Sequence, residues 1–175
     1  LKIAVLALFT FILVACNGTE KTSEKSAVKK KSLTSMSMAR IKTVHGDIVF
    51  SFLSKDAPNT SNRIKELINK GFYNGLTFHR VIPGFVVQGG DPKGNGTGGS
   101  GTNIAAEFNA NKHVPGTVAM ARSSEPNSAD SQFYISLGTH PNLDNQYTVF
   151  GFVKSGLENV KKIQKGDKMI TVTLE

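Results

Sequence analysis

The chain has 175 residues, 39% apolar and 19% charged, with 17 glycines and one cysteine. It is long enough for one buried core, too mixed in composition for a disordered or fibrous polypeptide, and unable to form an intrachain disulfide. Of the net charge of +8, residues 1–16 hold one lysine, residues 17–38 hold five lysines against two glutamates, and the rest holds a dispersed +4, which marks a solvated surface rather than a nucleic-acid face.

Residues 1–15 read as a secretory leader: Lys2, then an apolar run from Ile3 to Val14 interrupted only by Thr10. The run is shorter than the roughly 20 apolar residues a spanning helix needs. Leu13-Val14-Ala15-Cys16 resembles the lipobox of bacterial lipoproteins, which implies cleavage before Cys16 and a lipid on its thiol. An ordinary signal peptide with an incidental cysteine is the alternative. The sole cysteine falling at this one position favours the lipid anchor. Residues 16–38 are polar, lack an apolar period and read as a tether, spanning on the order of 25 Å as a flexible coil.

From Ala39 to the end the pattern is that of a folded domain. Ile48, Phe50 and Phe52 alternate with Val49, Ser51 and Leu53 in a strand, linked through His45-Gly46-Asp47 to a strand around Ile41. Asp56-Ala57-Pro58 opens a helix with Ile64, Leu67 and Ile68 inward and Gly71 at its end. Strands are expected near 77–81, 86–89, 117–121, 132–136, 149–153 and 168–174, and a second helix near 157–164 with Leu157, Val160 and Ile163 inward. Many short strands, two helices and glycine turns predict a mainly β fold, a closed antiparallel barrel without exposed edges.

The segment from Phe78 to Asp91 carries the chemistry. Arg80 stands among apolar residues, with Gln88 eight positions on and Gly89-Gly90 beyond. A planar, permanently charged donor fork in an apolar setting needs a partner or a task. His45, His79, His113 and His140 lack zinc-type spacing, so no metal is expected. Gly94-Asn95-Gly96-Thr97-Gly98-Gly99 fits G-x-G-x-x-G, but opens no helix after a strand, so it reads as a turn rather than a dinucleotide site. No hydrolase nucleophile elbow is present.

Phe78–Asp91, Gly94–Gly101, Gly116–Arg122, Ser131–Ile135 and Leu143-Asp144 with Val149-Phe150-Gly151 stand in the order of the cyclophilins, and the domain resembles that family of peptidyl-prolyl cis-trans isomerases, compact bacterial type. The resemblance implies an eight-stranded barrel capped by two helices, with a substrate groove on its outer face. It implies Arg80 as the catalytic guanidinium, Phe85 as the floor of a proline pocket and Gln88 as the residue that holds Arg80 or substrate backbone. Val86, Met120, Tyr134, Leu143 and Tyr147 would shape that pocket. Gly96, Ala121, Arg122 and Gln132 would line the groove for residues preceding proline. Tyr134 stands where many members have Phe, adding a hydroxyl at the rim. Asn142 stands where cyclosporin-sensitive members have Trp, so weak cyclosporin binding is expected.

Rotation about an X–Pro bond makes and breaks no covalent bond, so no nucleophile, metal or cofactor is required. The expectation is a monomeric prolyl isomerase, lipid-anchored through Cys16 in a bacterial envelope and facing outside the cytoplasm. Its partners would be proline-containing polypeptides, not nucleic acid. The competing reading is a non-catalytic chaperone module that holds proline-containing segments in the same groove.

Overall fold

The computed structural model describes residues 37–175, so the leader, Cys16 and nearly all of the tether lie outside the described residues. Eight strands form one sheet: β1 (Met38–Thr43), β2 (Gly46–Phe52), β3 (Arg80–Ile82), β4 (Val86–Gly89), β5 (Thr117–Met120), β6 (Phe133–Ser136), β7 (Val149–Ser155) and β8 (Thr171–Leu174). Their order is β3-β4-β6-β5-β7-β2-β1-β8, and every pairing between them is antiparallel.

The barrel expected to be closed is instead an open, curled half-barrel, because its end strands β3 and β8 are not paired with each other. β3, of three residues, pairs only with β4, and β8, of four, only with β1. The chain ahead of each strand meets the other only at the bridge between Thr77 and Lys168 and in bonds such as Phe78 N–H to the Asp167 carbonyl at 2.8 Å.

Helix α1 (Pro58–Asn69) begins with proline where no backbone donor is needed and buries Ile64, Leu67 and Ile68. No side chain caps it locally. The Glu107 carboxylate, nearly fifty residues away, accepts the Asn59 and Thr60 backbone N–H groups, each at 2.9 Å. Two orphan donors are thereby satisfied and a negative charge is set at the helix N-terminus.

Helix α2 (Leu157–Val160) is one turn, shorter than the sequence pattern predicts. The chain then tightens, with Lys162 N–H bonded to the Asn159 carbonyl and Ile163 N–H to that of Val160. The Asp167 carboxylate takes the Gln164 N–H at 2.8 Å and draws it out of the helical ladder. Val160 and Ile163 are nonetheless buried.

Strand parity divides the apolar residues into two bodies. Ile41, Ile48, Phe50, Val87, Val118, Phe133, Ile135 and Phe150 face inward and build the main core with α1. Val86, Ala119, Tyr134 and Val149 form a second cluster, with Phe85, Ala121, Leu143, Tyr147 and Phe152 packed against it. On β4, β5 and β6, neighbouring residues alternate between the two, as a pleated strand requires.

Candidate active site

Register assembles the site. Arg80 on β3 lies opposite Gln88 on β4, Gln88 opposite Tyr134 on β6, and Tyr134 opposite Ala119 on β5. Successive partners across a sheet share a face, so one row carries the guanidinium, an amide and an aromatic ring.

A pocket of about 260 Å³ opens on this row. Phe85, Val86, Ala121, Tyr134, Leu143 and Tyr147 supply its apolar surface, and Arg80, Gln88 and Arg122 its polar side. The Arg80 guanidinium sits 5.7 Å from the Phe85 ring centroid and donates to Gln88 Oε1 at 3.2 Å. Among the described residues no carboxylate pairs with it. The His140 ring packs edge-on to Phe85, with centroids 4.7 Å apart.

The amide of Gln88 continues the line. Its Nε2 donates to Gln132 Oε1 at 3.0 Å, and Gln132 Nε2 donates to the carbonyls of Gly96 and Gly98 at 3.0 and 2.8 Å. Arg80 is thus tied, through two glutamines, to the glycine-rich loop. That loop is held from beneath by Asp91, whose carboxylate accepts the N–H groups of Lys93, Asn95 and Gly96. Burial works against its charge, but those three donors hold its pKa below the ordinary range. A Cβ at Gly98 would strike the Asp91 carboxylate, and one at Gly99 would strike Asp130, so the loop packs this closely only with glycine there.

A second pocket, of about 350 Å³, adjoins the first and shares Gln88, Ala121 and Arg122 with it. Gly96 and Gln132 line it, as the sequence led us to expect, together with Thr97, Asn103, Ser128 and Asp130, which the sequence did not single out. Arg122 donates to the carbonyls of Gln146, Ser123 and Ser124 and lies 4.9 Å from the Tyr147 ring centroid, which fixes the wall between the pockets.

Two expectations are corrected. Met120 does not line the proline pocket: it is 1% exposed and belongs to the main core, because β5 turns Ala119 outward and Met120 inward. The Tyr134 hydroxyl does not project at the rim; it bonds the fully buried His113 ring at 2.9 Å. Arg80, Phe85, Gln88, Val86, Leu143 and Tyr147, expected at the proline pocket, do come together, and Ala121 and Arg122, expected in the adjoining groove, line both pockets. His79 is also buried, with neither ring nitrogen bonded; burial lowers its pKa, opposed by Asp91.

Residues 38–173 match the family model for cyclophilin type peptidyl-prolyl cis-trans isomerases. The chain belongs to the cyclophilin family. A peptidyl-prolyl cis-trans isomerase of Synechococcus elongatus is 43% identical over 141 residues, covering 79% of this chain and 97% of that protein. Peptidyl-prolyl cis-trans isomerase B of Bacillus subtilis is 46% identical over 130 residues, covering 73% and 90%. The crystal structure of a Cryptosporidium parvum cyclophilin type isomerase is similar with a TM-score of 0.74 at 27% identity, covering 80% of this chain and 98% of that one. A second structure of that protein, in the presence of the dipeptide Ala-Pro, has a TM-score of 0.74 at 28% identity, covering 79% and 98%. The cyclophilin domain of this chain is accordingly a peptidyl-prolyl cis-trans isomerase with the mainly β, half-barrel fold of the family.

Proposed function

We propose that Arg80 drives the isomerisation by donating a hydrogen bond to the imide nitrogen of an X–Pro bond while Phe85, Val86, Leu143 and Tyr147 hold the proline ring. The barrier of about 18–20 kcal/mol arises because rotation breaks C–N resonance. As the bond twists, the nitrogen lone pair localises and becomes an acceptor that the planar ground state does not present. A donor aimed there stabilises the transition state selectively. The observation that carries this reading is the state of the Arg80 guanidinium: free of any carboxylate among the described residues, set over Phe85, and oriented by Gln88.

The pocket has the apolar surface a proline ring requires, and the Ala-Pro dipeptide studied with the Cryptosporidium protein makes proline-containing peptides the natural substrate class. The adjoining pocket, with Gln132, Ala121 and Gly96, would take residues ahead of the proline. The clients we propose are envelope or surface proteins, reached by a domain tethered through a lipid on Cys16. That part rests on the apolar leader and the Leu13-Val14-Ala15-Cys16 motif.

Exchange NMR on an Ala–Pro peptide with the full chain tests the catalytic reading. Cis–trans exchange accelerated at substoichiometric protein is expected. Peptide binding without acceleration would establish the chaperone module instead. For the anchor, Cys16→Ala should release the protein from the membrane fraction, and retention there would refute lipidation.

A further inference from the structure

A line of three side chains, with the His113 ring fully buried at its centre, ends at the wall of the proposed proline pocket. Asp144 Oδ1 accepts the His113 backbone N–H at 2.9 Å and faces His113 Nδ1 at 3.1 Å. Lys112 Nζ stands 3.2 Å from Oδ2 of the same carboxylate. His113 Nε2 lies 2.9 Å from the Tyr134 hydroxyl, and the His113 side chain has no solvent exposure. The Tyr134 ring itself lines the pocket.

The protons on this line follow from one charge. An ionised carboxylate only accepts, so Nδ1 carries the imidazole proton. Nε2 is then a lone-pair acceptor, and the Tyr134 hydroxyl must donate to it. The phenol is thereby aimed into the protein interior, while the ring lines the groove. A phenylalanine in that place would have no such tether.

We propose that His113 is a positioning residue for substrate binding: held as one tautomer by Asp144, it accepts the Tyr134 hydroxyl proton and so fixes the ring that walls the proline pocket. The proposal rests on the reading of this groove as the proline site. Burial lowers the His113 pKa, opposed by Asp144, so the acceptor form prevails at neutral pH. The Asp144 pKa is held at about 2, first by the His113 backbone N–H. Once His113 is protonated, Nε2 becomes a donor facing a donor, and the Tyr134 hydroxyl loses its acceptor there. The charged and titratable groups around the ring are Asp144, Lys112, Tyr134, Tyr147 and His140. Of these, His140 is the other imidazole, and it touches Phe85 rather than Tyr134.

The experiment is kcat and KM for an Ala–Pro peptide from pH 4.5 to 8, in wild type, His113→Gln and Tyr134→Phe. In wild type KM should rise about 5–10-fold at the acid end, the equivalent of one lost buried hydrogen bond, with kcat nearly constant. The rise should vanish in both variants: glutamine offers an acceptor that does not titrate, and phenylalanine has no hydroxyl to misplace. A KM flat with pH in wild type, or an acid rise that persists in Tyr134→Phe, overturns the proposal. Long-range ¹H–¹⁵N spectra of the wild-type protein should show His113 protonated at Nδ1 and bare at Nε2, and the opposite tautomer overturns the proposal even if a variant fails to fold. A wild type that binds no X–Pro peptide at any pH overturns the groove reading and the positioning role with it. Binding with a pH-independent KM overturns the positioning role alone.

Discussion

Replacing Arg80 by alanine isolates the proposed transition-state contact from everything else the residue does. In the free protein Arg80 is exposed, makes one long hydrogen bond to Gln88 and lies over Phe85. An exposed cation–π contact is worth about 0.5–1 kcal/mol, and an exposed residue without an ion pair shifts stability by about 0.5 kcal/mol. The thermal midpoint should therefore move by less than about 5 °C. Peptide binding, carried by Phe85, Val86, Leu143 and Tyr147, should weaken by less than about threefold. The transition state loses a preorganised donor, a change that costs about 10²–10³ in rate, or about 2.7–4 kcal/mol. Arg80→Ala should lower kcat/KM by that factor almost wholly through kcat. Arg80→Lys, which keeps the charge but loses the planar fork that meets Gln88, should fall between, at about 10–30-fold below wild type. Exchange NMR at saturating peptide, paired with a binding titration, separates the two terms. If Arg80→Ala keeps more than a third of wild-type kcat, or loses its activity through binding alone, the donor mechanism is wrong.

Further expectations concern the scaffold. Glu107→Ala removes the remote cap of α1 and should cost about 1–2 kcal/mol, a fall of about 3–6 °C in thermal midpoint with kcat unchanged; calorimetry and a rate assay check both. Gly98→Ala drives a methyl group into the Asp91 carboxylate and should loosen the loop that anchors Gln132, lowering kcat/KM by about 5–10-fold; unchanged kinetics would show that the loop does not position Arg80 through the two glutamines. Asp144, Asp91 and Asp167 all have folded pKa values below their ordinary 3.8. Their contribution is present above the unfolded value and is lost as pH falls from about 4 toward about 2, so the urea midpoint should drop across that window, and Asp144→Asn should flatten the drop.

Much of the domain was legible because its strands alternate cleanly. Ile48, Phe50 and Phe52 are period-two signals with a buried face, and Phe133 through Ser136 sit where a strand was expected. The closure of the barrel was not legible, because it depends on whether two very short end strands meet, which no local pattern encodes. The length of α2 was misjudged for a related reason: Leu157, Val160 and Ile163 keep helical spacing, while Asp167, beyond that stretch, captures the Gln164 N–H. At the candidate site, Arg80, Phe85 and Gln88, which line one pocket, were singled out through the order of motifs rather than through spacing. Met120 was misplaced by a single residue of parity, since Ala121 and not Met120 lines the groove. The cap supplied by Glu107 and the line from Asp144 to Tyr134 join residues far apart in the chain, and only the fold brings them together.

The division of β4, β5 and β6 between two apolar bodies has an evolutionary consequence. Alternate codons along one strand would answer to different selective pressures: Val87 and Ile135 to folding, Val86 and Tyr134 to the proposed proline pocket. Descendants can therefore drift in which peptides they prefer by exchanging outward-facing neighbours, while inheriting an unaltered interior.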